Sequence, residues 1–236
     1  MKGFILAAGE GTRLLPLTDK TPKPLLHVGE IPIINYLIDL FLDCGVNDIK
    51  IGIQRKRLED FQRWQVTYYP DQQIELMAEE CPSGTFTPIN NLSAEWFNEP
   101  IVVSNGDELK DIDLDKMIKC HFKQNSIATV GLIKVDNPCA YGVAILEGNK
   151  IVRFDEKPKI VLSPYINSGI YVFNPEIRNY YPKGAKHAMV ETDLFPKLAE
   201  KGILCGYKLS GRWMDTGTHE RLKEANKNWN KKIKVK

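Results

Sequence analysis

The sequence predicts an α/β fold: a Rossmann-like, three-layer, mostly parallel sheet with helices on both faces, continued by a β-rich half. Three observations predict it. An apolar run at 3–8 stops at a glycine-rich loop, and an amphipathic helix follows. Strand-like and helix-like segments then alternate four times before about residue 125, the signature of a parallel sheet covered on both faces. From 126 onward the pattern changes to closely spaced strand-like runs.

The elements read in order as follows. Residues 3–8 (GFILAA) are apolar without alternation, as a strand buried on both faces requires. Residues 9–31 are rich in Gly, Pro, Thr and Lys and read as a long loop, a length that usually signals function or disorder. Ile33, Ile34, Leu37, Ile38, Phe41 and Leu42 recur at helical spacing, and Gly45 closes that helix. Residues 48–53 read as a strand, 55–65 as a charged helix, 74–79 as a strand and 85–96 as a weak helix. PIVVSNGD at 100–107 is a strong buried strand running into a glycine turn. Residues 111–122 read as helical, with Asp113 or Asp115 near the N-terminus. Beyond them 126–134, 142–147, 150–156 and 166–173 read as strands, with a turn at Glu147-Gly148-Asn149. A helix at 191–201, a strand at 203–209 and a helix from about 218 complete the chain. The basic tail, NKNWNKKIKVK, reads as a solvated helix end and a frayed terminus.

Composition excludes several classes. The 236 residues are 43% apolar and 26% charged, ordinary for a soluble globular domain. Lys plus Arg (32) nearly balances Asp plus Glu (30), and a net charge of +2 gives no electrostatic case for nucleic acid or an anionic membrane. Cys44, Cys81, Cys120, Cys139 and Cys205 are odd in number, scattered and without CxxC, which fits a reducing compartment better than a disulfide frame or a zinc site. The N-terminal apolar run is too short for a signal peptide or a bilayer span, so cytoplasm is the expected location.

The chemistry concentrates in the first loop. Strand, glycine-rich loop and helix is the layout that presents backbone N–H groups to phosphates. Gly9-Glu10-Gly11-Thr12-Arg13 is not a dinucleotide fingerprint, because Leu14 stands where the third glycine is needed. It is not a Walker loop either, since no GK[ST] follows. A bare GxG would be read as an ordinary tight turn. Arg13, however, supplies a planar fork suited to phosphate oxygens. In Thr21-Pro22-Lys23-Pro24 a lysine lies between two prolines that restrict its backbone. A stiffened lysine beside a phosphate loop suits neutralisation of a reacting phosphoryl group.

At this point GFILAAGEGTRLLPLTDKTPKPLL resembles the signature of the sugar nucleotidyltransferases, the NDP-sugar pyrophosphorylases. The resemblance covers about 2–226. It implies one domain over 1–236, with a nucleotide-binding half (1–125) and a sugar-binding and metal half (126–236). Ser104-Asn105-Gly106-Asp107 resembles the segment whose aspartate holds a divalent metal, and Trp213-Met214-Asp215-Thr216-Gly217-Thr218 resembles the segment with the second metal aspartate. The implied cofactor is Mg²⁺ on Asp107 and Asp215, a hard cation that seldom uses an all-protein cage. Glu79-Glu80-Cys81-Pro82-Ser83-Gly84-Thr85 resembles the base-recognition segment. The resemblance thereby assigns nucleotide binding to Leu6, Ala8, Gly9, Gly11, Thr12, Arg13, Glu80 and Gly84. Phe86-Thr87-Pro88 departs from the small residues usual after the G-T.

The sugar side follows the same logic. Ala140-Tyr141-Gly142-Val143, Phe154-Asp155-Glu156-Lys157-Pro158 and the 166–173 run (INSGIYVF) resemble the family's YGV, EKP and N-x-G-x-Y-x-F segments. They imply sugar-phosphate binding by Tyr141, Gly142, Glu156, Lys157 and Asn167. A carboxylate accepts from two hydroxyls and an amide both donates and accepts, so Glu156 and Asn167 suit a sugar. Tyr171 and Phe173 read as core. His27, His121, His187 and His219 share no ligand spacing and read as surface or packed residues. Glu191-Thr192-Asp193 reads as a helix cap, at a place where the family often has an acidic residue near the sugar.

The reaction implied is NTP plus sugar 1-phosphate giving NDP-sugar plus pyrophosphate, with Arg13, Lys23, Asp107 and Asp215 as catalytic residues. The second-half motifs look closest to compact mannose-1-phosphate guanylyltransferases, which implies GTP and mannose 1-phosphate or a related manno-sugar. UTP or dTTP with glucose, MurNAc or heptose 1-phosphate is the alternative. A catalytically silent regulatory relative would be expected to lose Arg13, Lys23 or a metal aspartate, and all are present. Homo-oligomerisation is left open. A chain ending near 236 is expected to lack the hexapeptide-repeat β-helix that some members carry.

Overall fold

The computed structural model describes residues 1–124 and 126–229. The chain opens with β1 (Lys2–Leu6), whose apolar middle is buried. The loop that follows folds on itself through two 3-10 turns, the one-turn helix α1 (Leu17–Lys20) and a small ribbon of β2 (His27–Val28) and β3 (Ile31–Pro32). Then come α2 (Ile33–Asp43), β4 (Asp48–Gln54), α3 (Leu58–Tyr68), β5 (Ile74–Glu79), α4 (Thr87–Asn90), β6 (Ile101–Asn105), β7 (Glu108–Ile112) and α5 (Leu114–Lys123). The second half contributes β8 (Ala128–Lys134), β9 (Gly142–Glu147), β10 (Lys150–Glu156) and β11 (Tyr165–Phe173). A π turn at Val190–Leu194 leads into α6 (Phe195–Glu200), followed by β12 (Leu204–Lys208), β13 (Gly211–Asp215) and α7 (His219–Asn228).

Among the described residues nine strands form one sheet in the order β5-β4-β1-β6-β11-β8-β12-β10-β9. It is parallel from β5 to β6. Beyond β6 it is mixed: β11 enters antiparallel to β6 and β8, and β10 and β9 pair antiparallel at the far edge. Alternation along β1 sends Phe4 and Ile5 to opposite faces. Phe4 packs with Ile89 of α4, Phe195 of α6 and Tyr171, whereas Ile5 packs with Leu37 and Phe41 of α2, Phe61 of α3 and Met117 of α5. These are the outer two of the three layers. Each fully buried side chain of this size contributes roughly 1.5–3 kcal/mol.

Several expectations are corrected. The helix expected at 85–96 shrinks to one turn, because Trp96 and Phe97 are drawn into the core and Trp96 Nε1 is tied to Asp48 at 2.9 Å. The helix expected from 111 starts after Asp113, whose carboxylate accepts from the Lys116 N–H at 3.0 Å. The residues before it form β7, which pairs antiparallel with β13, an element that hydrophobic pattern does not reveal. The helix expected at 191–201 is regular only from Phe195, with Pro196 in its first turn, where the missing N–H costs nothing. Residue 125 at the boundary of the halves and the basic tail from 230 lie outside the described residues.

A third, smaller core joins Leu14 of the first loop, Tyr36 of α2, Leu109 of β7, and Leu222 and Trp229 at the end of the described chain. The loop is thus packed against an element more than 200 residues away, and the His219 ring contacts the Leu15 carbonyl at 2.8 Å. Among the described residues no helix is long and apolar enough to cross a membrane.

Candidate active site

The C-terminal ends of β1 and β6 open onto a cavity of about 460 Å³. Crevices at strand ends are where open α/β sheets take ligands. Leu6, Ala8, Gly9, Gly11, Thr12 and Arg13 form one wall of it, and Gly84 and Thr85 another. Lys23 and Asp107 close the end nearest the second half. Gly11 holds φ +65°, and a Cβ there would lie 2.9 Å from Thr18 Cγ2, so the tight turn accepts only glycine without strain. The Thr18 hydroxyl holds the Gly11 carbonyl at 3.0 Å, leaving the loop's N–H side open.

Lys23 is buried, as its proline-bracketed backbone suggests. Its Nζ lies 2.6 Å from Asp107 Oδ2 and 4.0 Å from Asp215 Oδ1. The two aspartates are brought together by the β7–β13 ribbon. Asp107 immediately precedes β7, and Asp215 is the cross-strand partner of Glu108. The Thr216 hydroxyl donates to the Asp107 carbonyl at 2.8 Å and locks the ribbon's open end. Gly217 sits at the centre: a Cβ there would be 2.8 Å from Asp215 Oδ1, 3.0 Å from Arg13 Nη2 and 3.4 Å from Lys23 Nζ. Two cations and the Asp215 carboxylate therefore converge on one point, and Asp107 joins them through Lys23. Desolvation pushes the Asp107 carboxyl up, but Lys23, together with Lys110 and a backbone hydrogen bond, holds the group below its ordinary value.

Asp107 and Asp215 are hard-oxygen donors on either side of Lys23 Nζ, a pair that fits Mg²⁺ completed by phosphate oxygens and water. Among the described residues no group of three or more His, Cys, Asp or Glu side chains is placed to hold a metal, so the pair would depend on substrate oxygens.

The structure adds residues that the sequence reading passed over. Glu108 lies partly buried beside the aspartates. Its Oε2 accepts from Lys110 Nζ at 2.9 Å and Trp213 Nε1 at 3.0 Å, and its Oε1 from Asn105 at 3.3 Å. Burial raises the Glu108 carboxyl, against the pull of Lys110. Arg221 contacts Asp215 Oδ2, and its guanidinium lies over the Tyr141 ring at 5.3 Å. Glu79 lines the cavity and accepts from the Ser83 hydroxyl at 2.5 Å. Glu80, the residue expected there, points out to solvent: its side chain is 78% exposed and pairs with Arg55 at 3.1 Å. Side chains one residue apart at a strand end face opposite ways, which is why the neighbouring carboxylate takes the cavity.

The sugar-side candidates form a second cluster. Gly142 and Glu156 are cross-strand partners on β9 and β10. A Cβ on Gly142 would meet Phe154 at 2.4 Å and Glu156 Oε2 at 2.8 Å, so glycine leaves room for that carboxylate. Lys157 has φ +46° and pairs with Glu156 at 3.2 Å. Asn167 Oδ1 accepts from the Gly169 N–H at 2.9 Å, and its Nδ2 donates to the buried Tyr171 hydroxyl at 2.8 Å. A cavity of about 500 Å³ adjoins Glu156 and Glu191. Burial raises the Glu191 carboxyl, although the Thr85 hydroxyl donates to it at 2.7 Å. That bond ties the glycine segment of the first cavity to the second cluster. Tyr141 bridges the two sites, its hydroxyl 3.4 Å from Asp215 Oδ2 and its ring edge-on to Trp213. Of the histidines, His121 is buried between Thr129 and Asn174, and His187 lies at the cavity rim.

The chain is similar to known proteins. A sequence model of the family described as nucleotidyl transferase matches residues 2–232. The mannose-1-phosphate guanylyltransferase catalytic subunit beta of Danio rerio is 34% identical over 229 residues, covering 92% of this chain and 61% of that protein. The UTP–glucose-1-phosphate uridylyltransferase of Synechocystis is 33% identical over 235 residues, covering 92% of this chain and 60% of that one. The chain thus spans about three fifths of the length of these curated relatives. A crystal structure of a putative glucose-1-phosphate thymidylyltransferase from Bacillus anthracis, in complex with a sucrose, superposes with a TM-score of 0.89 at 29% identity, over 99% of this chain and 98% of that one.

Proposed function

The chain belongs to the nucleotidyl transferase family, and from that premise we propose that it joins a nucleoside triphosphate to a sugar 1-phosphate, giving an NDP-sugar and pyrophosphate. The observation that carries this reading is Lys23 Nζ between Asp107 and Asp215 at the end of a glycine-walled cavity. A sugar-phosphate oxygen attacks the α-phosphorus in line and pyrophosphate leaves opposite. The nucleophile is already an anion, so no general base is required, and catalysis comes from positioning and charge neutralisation.

Backbone N–H groups of Gly9 to Arg13, with the Arg13 guanidinium, hold the leaving pyrophosphate. Lys23 neutralises the α-phosphoryl oxygens as charge builds. Asp107 and Asp215 would hold Mg²⁺, which supplies further charge neutralisation between phosphate oxygens when bound. An aspartate is ionised across the neutral range, so the Asp107 carboxylate is available there as a ligand. Glu156, Lys157 and Asn167 receive the sugar, with Tyr141 at the junction.

Guanine is the base that this cavity suits best. Glu79 presents an acceptor-only carboxylate. Guanine offers two adjacent donors on its Watson–Crick edge, N1–H and N2–H₂, whereas uracil and thymine offer one donor between two carbonyls. With the guanylyltransferase relatives this supports GTP and mannose 1-phosphate or a related manno-sugar. The uridylyltransferase and thymidylyltransferase relatives support UTP or dTTP with glucose 1-phosphate as the second reading. The test is pyrophosphate release across four NTPs and dTTP, each with mannose, glucose, MurNAc and heptose 1-phosphates and Mg²⁺. Turnover that depends on both substrates supports the reaction, and no release from any pair would refute it.

A further inference from the structure

Arg221 stands in the first half of α7, six residues past Asp215. Its Nη1 donates to Asp215 Oδ2, the oxygen that also faces the Tyr141 hydroxyl. The other oxygen, Oδ1, is already served by the Gly217 N–H at 2.7 Å and by Lys23 at 4.0 Å. Asp215 therefore has a cation without Arg221, and holding the carboxylate does not use up what the arginine offers. A guanidinium has five N–H donors in a rigid fork. The Arg221 side chain is 32% exposed while Asp215 is only 12% exposed, so part of that fork is open.

Its location is informative. Arg13 and Lys23 line the nucleotide cavity and Arg221 does not. It lies on the other side of Asp215, over the Tyr141 ring, where the nucleotide half meets the sugar half. A phosphate arriving from the sugar side has to pass this corner to reach the α-phosphorus. Lys157, the cation expected to receive it, is 67% exposed and turned onto Glu156 at 3.2 Å. An arginine fixed on one edge by a carboxylate and open on the other is suited to bidentate capture of a phosphate.

On the strength of the reaction proposed above, we propose that Arg221 is the anchor for the phosphate of the incoming sugar 1-phosphate. One edge of the guanidinium stays on Asp215 while the free donors take two phosphate oxygens. The nucleophilic oxygen is thereby set beside the metal carboxylate. The anchor reads phosphate and no sugar hydroxyl, so it acts alike on any aldose 1-phosphate.

Wild type, Arg221→Lys and Arg221→Ala are compared by steady-state kinetics. They are also compared by calorimetric titration of mannose 1-phosphate and glucose 1-phosphate into protein holding Mg²⁺ and a non-hydrolysable α,β-methylene GTP. Thermal melting checks that each variant is folded. Loss of a charge-assisted pair predicts a KM and Kd for sugar 1-phosphate raised by about tenfold to a hundredfold in Arg221→Ala, by the same factor for both sugars, with KM for the triphosphate within about twofold. Arg221→Lys recovers part of the loss, since it keeps the charge and loses the fork. Unchanged sugar 1-phosphate affinity in Arg221→Ala overturns the assignment. So does a rise confined to the Mg²⁺ requirement, which would make Arg221 only an orienting residue for Asp215. If wild type neither binds nor turns over any sugar 1-phosphate, the reaction itself is wrong and the anchor falls with it.

Discussion

Lys23 and Asp107 meet across 84 residues of chain, Nζ to Oδ2, at 2.6 Å. The pair is asymmetric: the lysine side chain is 7% exposed and the aspartate 36%. The lysine is held by its burial and its prolines, and the carboxylate reaches it from the edge of the cleft. The following expectations rest on this and three other arrangements.

Lys23→Ala or Asp107→Asn is expected to lower pyrophosphate release by at least about a hundredfold, the scale of losing one electrostatic stabiliser in a shielded site. Folding of Lys23→Ala should change little, by about 1 kcal/mol, because the partly exposed carboxylate can be solvated by water once unpaired, whereas Asp107→Asn leaves the buried lysine with Asp215 at 4.0 Å as its remaining carboxylate and should cost more. Turnover and a urea midpoint measured on the same samples separate the two. Near-normal turnover in either variant would remove the pair from the reaction centre.

The Glu108–Lys110 pair predicts a stability effect instead. The Lys110 side chain is wholly buried and spans 2.9 Å to Glu108 Oε2. Lys110→Met leaves a largely buried carboxylate (14% exposed) without its cation, at a cost of roughly 3 kcal/mol. The double variant Glu108→Gln, Lys110→Met should recover much of that, since the uncompensated charge is gone. Chemical denaturation of all three proteins tests this, and a double variant as unstable as the single one would show that the charge is not the cause.

Base choice should respond to Glu79. Replacing the carboxylate with the amide in Glu79→Gln supplies a donor where only acceptors stood. The GTP preference over UTP, as a ratio of kcat/KM, is expected to fall about tenfold or more, the scale of one mismatched hydrogen bond to a charged group. An unchanged ratio would place base reading elsewhere in the cavity.

His121 predicts an acid-side loss of stability. Burial lowers its pKa below the ordinary 6.5, although the contact with Asn174 pulls the other way. The folded state therefore favours neutral imidazole, while the unfolded chain takes up a proton near 6.5. Just below that pH the unfolded state binds more protons, so stability present above it is lost as pH falls. Denaturation midpoints between about pH 5 and 8 should decline on the acid side in wild type and decline less in His121→Gln. Equal slopes would rule out His121 as the group responsible.

The four alternating strand–helix units, the glycine loop with Arg13 and the proline-held Lys23 are legible in the sequence because each is a local device. Apolar runs set the buried strands β1 and β6, the helical spacing of Ile34, Leu37 and Phe41 sets α2, and two prolines fix one lysine whatever surrounds them. The tertiary structure decided what local pattern cannot encode. β7 and β13 are five-residue strands whose pairing partner lies a hundred residues away, so neither carries a periodic signal of its own. Only their ribbon puts Asp215 opposite Glu108 and beside Lys23. The choice of Glu79 over Glu80 turns on which way a side chain leaves the end of β5, a matter of strand register set by the sheet. Arg221 reads in sequence as one of several charges on an exposed helix. It comes beside Asp215 because α7 and the Trp229 that follows it pack back, through Leu222 and Trp229, onto the first loop, and long-range burial of that kind is settled by the whole fold.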